Sequence, residues 1–240
     1  MTKPNPAREV VPSVSDKYVK TGVTPLPAAG SGSEVATTAP LLPPKFKLPP
    51  PAPTIDARPV KITPSAAPVY PRYLYLSPRK PAAGDRVAAS AAFSKARLFE
   101  QSSRWTDAMD WYRRAADADG SWFEAQYNYG VLAYSLRNFK VALSAYELAL
   151  AIQPDSKDAR YNFALTLKAA GYVTDAVKEL EKMLATSPDD VRAQLALGNL
   201  YAQQLHNPAQ ARRHYLKVLE LDPRNPQASD IRFWLSANPA

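Results

Sequence analysis

The sequence predicts an all-α chain: an α-solenoid of four helix-turn-helix repeats, closed by a C-terminal capping helix and preceded by a disordered proline-rich arm. Three patterns carry this. Small residues recur at constant separation: Ala108, Ala142, Ala176 and Ala211 lie 34, 34 and 35 residues apart, and Ala96, Gly130, Ala164 and Gly198 lie 34 apart each time. Helix-ending residues keep step, with Gly120, Pro154, Pro188 and Pro223 at 34, 34 and 35, as do the large side chains Tyr112, Tyr146, Leu180 and Tyr215. A constant period of this length marks stacked units, each burying its apolar face only against its neighbours. Finally, of 24 prolines, 18 fall in residues 1–85 and 6 in residues 86–240, so two materials meet near Asp85.

The arm comes first. Residues 1–85 carry 11 Lys/Arg against 5 Asp/Glu, a net +6, whereas residues 86–240 carry 19 against 17, a net +2. The basic pI near 9.5 therefore describes the arm. Its prolines interrupt any helix or central strand, and its apolar residues show no period, so it cannot bury enough surface to offset ordering entropy. The run Pro40–Pro53 favours polyproline II, and Lys47, Pro50 and Pro53 fit a basic-x-x-Pro-x-x-Pro ligand pattern that chance also produces in spacers. Val69-Tyr70-Pro71-Arg72-Tyr73-Leu74-Tyr75-Leu76 is unlike the rest, with three tyrosines and two leucines in eight residues. It is read first as an apron on the first helix of the folded part, and alternatively as a peptide that fills a groove, including one of this chain's own.

In the first repeat, about 89–122, Trp111 is expected in the core, while Trp105 and Trp122 shield an N-terminal edge that has no cap. That edge is also a candidate for self-association. In the second, about 123–156, Tyr127–Tyr134 reads as one helix and Phe139–Ile152 as the next, with a turn at Arg137-Asn138. Ala142, Ala145, Tyr146 and Ala149 form one apolar stripe at spacings of three and four. Pro154 ends the pair, and Asp155-Ser156 caps the start of the third repeat, about 157–190. The fourth, about 191–225, has one extra residue in Leu205-His206-Asn207-Pro208, where Asn207 caps and Pro208 opens a helix. Asn225-Pro226 repeats that device before a closing helix whose Ile231, Trp234 and Leu235 cover the last apolar edge.

Tyr129-Gly130, Ala142, Tyr146, Ala149 and Pro154, with their counterparts in the other repeats, closely resemble the tetratricopeptide repeat pattern. Gly120 departs from it, standing where proline usually closes the repeat. The resemblance implies a right-handed superhelix whose concave face is built mainly from the first helix of each pair. On that face fall Phe93 and Arg97 from the first repeat; Tyr127, Val131 and Tyr134, with Asn128 beside them, from the second; Tyr161, Leu165 and Lys168, with Asn162, from the third; and Arg192 and Asn199 from the fourth. Tyrosine followed by asparagine, twice at one spacing, suits an extended peptide: the ring supplies apolar area, and the amide bonds both donor and acceptor of a backbone.

Other chemistries find little footing. There is no cysteine, which excludes thiol catalysis and cysteine-held metals. The two histidines, His206 and His214, are eight residues apart, not at the spacing of a two-histidine metal site. Asp189-Asp190 and Asp117/Asp119 fall at repeat junctions, where acidic helix caps explain them. A carboxylate clamp of the kind that holds chaperone tails lacks its cationic ring here, and Asp158 would repel the ligand. Neither an enzyme nor a cofactor or metal site is expected. The resemblance implies non-enzymatic protein binding, an adaptor holding a neutral or mixed-charge, partly aromatic segment in its concave groove. Two alternatives stay open: an assembly factor of a bacterial-type envelope complex with the arm as spacer, and polyanion binding through the arm, although the dilute positive charge argues against nucleic acid. The expected compartment is cytoplasmic, or periplasmic if a signal precedes this chain; no run is long and apolar enough for a transmembrane segment.

Overall fold

The computed structural model describes residues 69–239, and the polyproline motif around Lys47, Pro50 and Pro53 lies outside them. Nine α-helices fill the described residues: α1 Arg86–Gln101, α2 Trp105–Ala118, α3 Phe123–Ser135, α4 Phe139–Ile152, α5 Lys157–Ala169, α6 Val173–Thr186, α7 Val191–Gln203, α8 Pro208–Leu221 and α9 Ala228–Ala237. Each helix packs on the next in sequence, most intimately within the pairs α1–α2, α3–α4, α5–α6 and α7–α8. This is the solenoid that the 34-residue columns predict.

Local chemistry starts and stops these helices. Asp85 accepts hydrogen bonds from the Val87 and Ala88 amides, Ser156 from Ala159 and Asn207 from Gln210, so each caps the helix that follows. Pro208 occupies the first turn of α8, where its missing N–H has no intrahelical partner to lose. Asn225 behaves differently from Asn207. It turns the chain by accepting from the Gln227 amide, and α9 begins later, at Ala228.

The pair spacing is set where the first helix meets the second. A Cβ on Gly130 would lie 2.9 Å from the Tyr146 ring, and one on Gly198 2.6 Å from the Tyr215 ring. Both rings are fully buried, so neither can swing aside. The apolar interior follows these contacts. The first pair gathers around Phe93, Ala96, Ala108 and Tyr112. The middle repeats share a core that includes Tyr146, Phe163, Leu167, Leu180 and Leu197. At the far end, Ile231 and Trp234 of α9 close over Ala211, Tyr215 and Val218. Tyr112 fills the first core and Trp111 packs against it from the rim. The Trp111 ring is half-buried, with Lys95 Nζ and the Arg114 guanidinium each 4.5 Å from its centre.

Residues 69–85, which the sequence places in the arm, are packed. They run over the array in the direction opposite to the repeats. Tyr70 donates from its hydroxyl to the Gln204 carbonyl in the last repeat, Arg72 meets Asp175 in the third, Leu76 meets Glu147 in the second, and Gly84 donates to Asp119 at the end of the first. The described fold therefore includes residues 69–85, which lie against the repeats rather than apart from them. The departure at Gly120 has its explanation here, because Pro81 crosses it and an added Cβ would sit 3.1 Å from the Pro81 Cβ.

Gly198→Ala should lower stability by about 1–3 kcal/mol, because the methyl displaces a ring with no free volume behind it. The Tyr215 ring also sets the seat of Trp234, at 5.0 Å edge-on. Thermal unfolding checks this: an unchanged melting temperature would mean that the α7–α8 spacing is not set at this contact.

Candidate functional site

The array offers two faces, one built from the first helices α1, α3, α5 and α7, the other mainly from the second helices. On the first, several residues mapped from the sequence are spent internally. Tyr127 is 1% exposed, its ring stacked on Phe123 at 5.6 Å and edge-on to Tyr146 at 6.0 Å. Its hydroxyl accepts a 2.8 Å bond from Asn162 Nδ2, tying the second repeat to the third. Asn128 is also buried, its amide donating to the Glu124 carbonyl one turn back. Phe93 is buried between Tyr112 and Trp122, and Val131 is nearly as enclosed. Asn199 Oδ1 accepts from the Tyr215 hydroxyl at 2.9 Å.

Half-exposed on this face are Arg97, Tyr134, Tyr161, Leu165, Lys168 and Arg192, together with Asn162 and Asn199, whose side chains are engaged by Tyr127 and Tyr215. Arg192 forms ion pairs with Asp158 at 2.9 Å and Asp190 at 3.2 Å, and its guanidinium covers the Tyr161 ring at 5.1 Å. Burial pushes the Tyr161 hydroxyl up to about 12. Asp158 thus serves to hold Arg192. Burial holds Lys168 below its ordinary value, and among the described residues no carboxylate offsets its charge. Tyr134 stands against Phe139 at 5.8 Å. The result is a mixed apolar and cationic strip along α3, α5 and α7.

The second-helix face carries buried carboxylates that the sequence reading overlooked. Asp175 of α6 is fully buried, and it accepts Arg72 Nη2 at 2.9 Å, Arg72 Nε and the Tyr73 amide at 2.9 Å. Burial alone would raise its pKa; the Arg72 hydrogen bonds, the Tyr73 amide and the Arg72 charge outweigh that and hold it below the usual carboxylate value. Glu147 of α4 is 6% exposed and accepts the Leu76 amide on both oxygens, at 2.8 and 3.1 Å. There burial dominates, raising its pKa against the pull of the Leu76 and Ser77 amides and the Tyr73 hydroxyl. Glu179, also buried, takes Arg160 at 2.9 Å, Lys182 at 2.7 Å and the Tyr75 hydroxyl at 3.2 Å. The Tyr73 and Tyr75 rings lie 5.9 and 6.0 Å from Phe163, and Tyr73 lies 5.2 Å from Tyr172. The tyrosine-rich segment thus fills a groove of its own chain, on α4, α5 and α6, and is not an apron on α1.

Asp119 belongs to the same system. It does not cap α3, whose cap position is Trp122, but accepts Gly84, the Ser121 amide and hydroxyl, and Arg86. Burial opposes its charge, yet these donors hold its pKa far below normal. One repeat beyond the filled groove, α6, α7 and α8 frame an open cavity of about 610 Å³ that includes Glu181, Gln194, Tyr201 and His214. The His214 Nδ1–H donates to Gln194 Oε1 at 2.8 Å, and the ring stacks on Tyr201. Burial, with Arg213 adding to it, pushes its pKa down to about 4. Among the described residues no cluster of three His, Asp or Glu is placed to hold a metal, and no helix is long and apolar enough to cross a membrane.

Three family models, each described as a tetratricopeptide repeat, match residues 79–121, 133–200 and 191–225. The chain belongs to the tetratricopeptide repeat family. It is 29% identical over 101 residues to the protein O-mannosyl-transferase Tmtc3 of Drosophila melanogaster, a match over 42% of this chain and 11% of that protein. It is 34% identical over 85 residues to the TPR repeat-containing thioredoxin TTL4 of Arabidopsis thaliana, over 35% of this chain and 12% of that one. The matches thus span about a tenth of those relatives. Among solved structures, YrrB, described as a TPR protein with an unusual peptide-binding site, superposes with a TM-score of 0.56 at 21% identity over 62% of this chain and 76% of its own.

Because folded His214 resists a proton that the unfolded chain accepts at its ordinary value of 6.5, its contribution to stability is present above pH 6.5 and is lost as pH falls toward 4. Denaturant titrations between pH 7 and 5 should show stability falling in the wild type and a flatter profile in His214→Gln. Equal slopes would remove His214 from the balance.

Proposed function

We propose that this protein is a non-enzymatic adaptor that holds an extended segment of a partner protein along its first-helix face. A tetratricopeptide array is a protein-interaction scaffold, and nothing in the chemistry of either face calls for a reacting group. The observation that carries the reading is the strip on α3 and α5: Tyr134, Leu165 and Lys168 are half-exposed, and the Lys168 charge has no carboxylate beside it. A side chain that pays desolvation without a partner is offset when a ligand supplies one. The expected ligand combines an apolar or aromatic residue, seated by Leu165 and Tyr134, with a carboxylate reaching Lys168. Arg192, already paired with Asp158 and Asp190, shapes the far end of the strip rather than collecting a second anion. The buried Tyr127 and its bond from Asn162 keep α3 and α5 in register, so their role is to position the strip.

Affinity capture with the full chain, followed by cross-link mapping, tests this. Wild type should hold a partner segment cross-linked to α3 and α5, and Lys168→Glu or Leu165→Glu should lose it while the circular-dichroism spectrum is unchanged. A partner retained by both variants, or cross-linked elsewhere, would move the site off this face.

A further inference from the structure

We propose that the groove on α4, α5 and α6 is a second peptide-binding site, specific for an extended Arg-Tyr-x-Tyr segment, and that its occupant is this protein's own residues 70–76, exchangeable between two copies. The contacts are those of a receptor and a ligand rather than of a continuous core. The segment forms no helix, and its recognition is divided between backbone and side chains. Two buried carboxylates, Asp175 and Glu147, read the Tyr73 and Leu76 amides; Asp175 also takes the Arg72 fork; and alternate rings at 73 and 75 enter beside Phe163 and Tyr172. Alternation of this kind is how an extended peptide is read, main chain for affinity and every second side chain for specificity. The intervening Leu74 points away and is 85% exposed.

The acidic side of the groove is matched by this ligand. Among the described residues Arg72 is the ion-pair partner of Asp175, with Lys178 adding only its more distant charge, and the donors to Glu147 come from residues 73–77. An empty groove would open both carboxylates and the Phe163 and Tyr172 rings to water, and the Arg72 fork, the Tyr73 and Leu76 amides and the two tyrosine rings match those groups one for one. The segment's own tether is light. Between Ser77, at φ 47, and the α1 cap at Asp85, the path is pinned by Pro81 over Gly120 and by Gly84 on Asp119. The hydrogen bonds of residues 70–76 reach groups 71 to 134 positions away in the chain. The same residues of a second copy present the same donors and rings, which is the condition for exchange of an element between protomers.

Two full-length variants test the exchange. One, Tyr73→Ala with Tyr75→Ala, has a disabled segment and an intact groove; the other, Asp175→Ala, has an intact segment and a disabled groove. Each alone should sediment as a monomer, and their mixture should give a one-to-one pair in which the sound segment occupies the sound groove. In parallel, a labelled synthetic peptide of residues 69–77 is titrated onto the first variant and onto wild type. The first variant should bind it at least about tenfold more tightly, because in wild type the tethered segment competes at high effective concentration. If the first variant is unfolded alone, recovery of its helix signal on adding the peptide supports the site equally. A folded first variant that ignores the peptide, or an unfolded one that the peptide does not rescue, overturns the proposal and makes residues 70–76 a structural strand. Peptide binding without pairing of folded variants overturns the exchange and assigns the groove to a foreign segment of the same pattern. Both readouts are independent of the strip at Lys168, so failure there and failure here are separable.

Discussion

Everything in this molecule rests on how closely two helices approach within a repeat. A glycine on α3 lies under Tyr146 and a glycine on α7 under Tyr215, at distances that exclude a methyl group. In the second and fourth repeats that contact brings the two backbones together and seats a large ring within the pair. The ring at Tyr146 in turn backs Tyr127, whose hydroxyl reaches Asn162 in the following repeat. Register thus passes from a backbone contact to an aromatic contact to a hydrogen bond, and the half-exposed strip of α3 and α5 inherits its shape from that sequence of contacts.

The two faces handle charge in opposite ways. On the first-helix face, carboxylates serve to orient cations, as Asp158 and Asp190 do for Arg192, and Lys168 is left uncompensated. On the other face, carboxylates are buried: Asp175 and Glu147 take their cation and amides from residues 72–76, while Glu179 is paired with Arg160 and Lys182 of the repeats. The first arrangement favours an incoming ligand with an acidic group, and the second is already satisfied by an extended, arginine-bearing one. The two proposed sites, if both are used, call for ligands of opposite charge character.

Helix positions were legible because they rest on local rules. The recurring small residues, the aromatic column and the caps at Ser156 and Asn207 each act within a few positions of themselves, and the observed helices follow them closely. Which residues share a face was legible as well, but depth was not: Tyr127 and Asn128 have the spacing of surface residues and are covered because their neighbours are Phe123 and the third repeat. Asp175, Glu179 and Glu147 read as ordinary solvated charges on amphipathic helices. Their partners come from a segment far upstream, and no periodicity connects the two. A signal was nonetheless present, in acidic residues beside apolar ones at Tyr146-Glu147-Leu148 and Asp175-Ala176-Val177, and in three tyrosines and an arginine within a proline-rich stretch.

The course of residues 69–85 has a bearing on how the chain assembles. An array of repeats interacts through nearest neighbours, so each unit can melt or form in turn, like beads that close one after another. Here a strap links the last repeat to the first, with the Tyr70 hydroxyl bonded to a carbonyl 134 positions away. Such a closure forms only once every intervening repeat is in place, and it comes at the loop-entropy cost of a long contact. Fraying of a terminal repeat should then be felt beyond its immediate neighbour, because residues 70–84 touch all four repeats in turn.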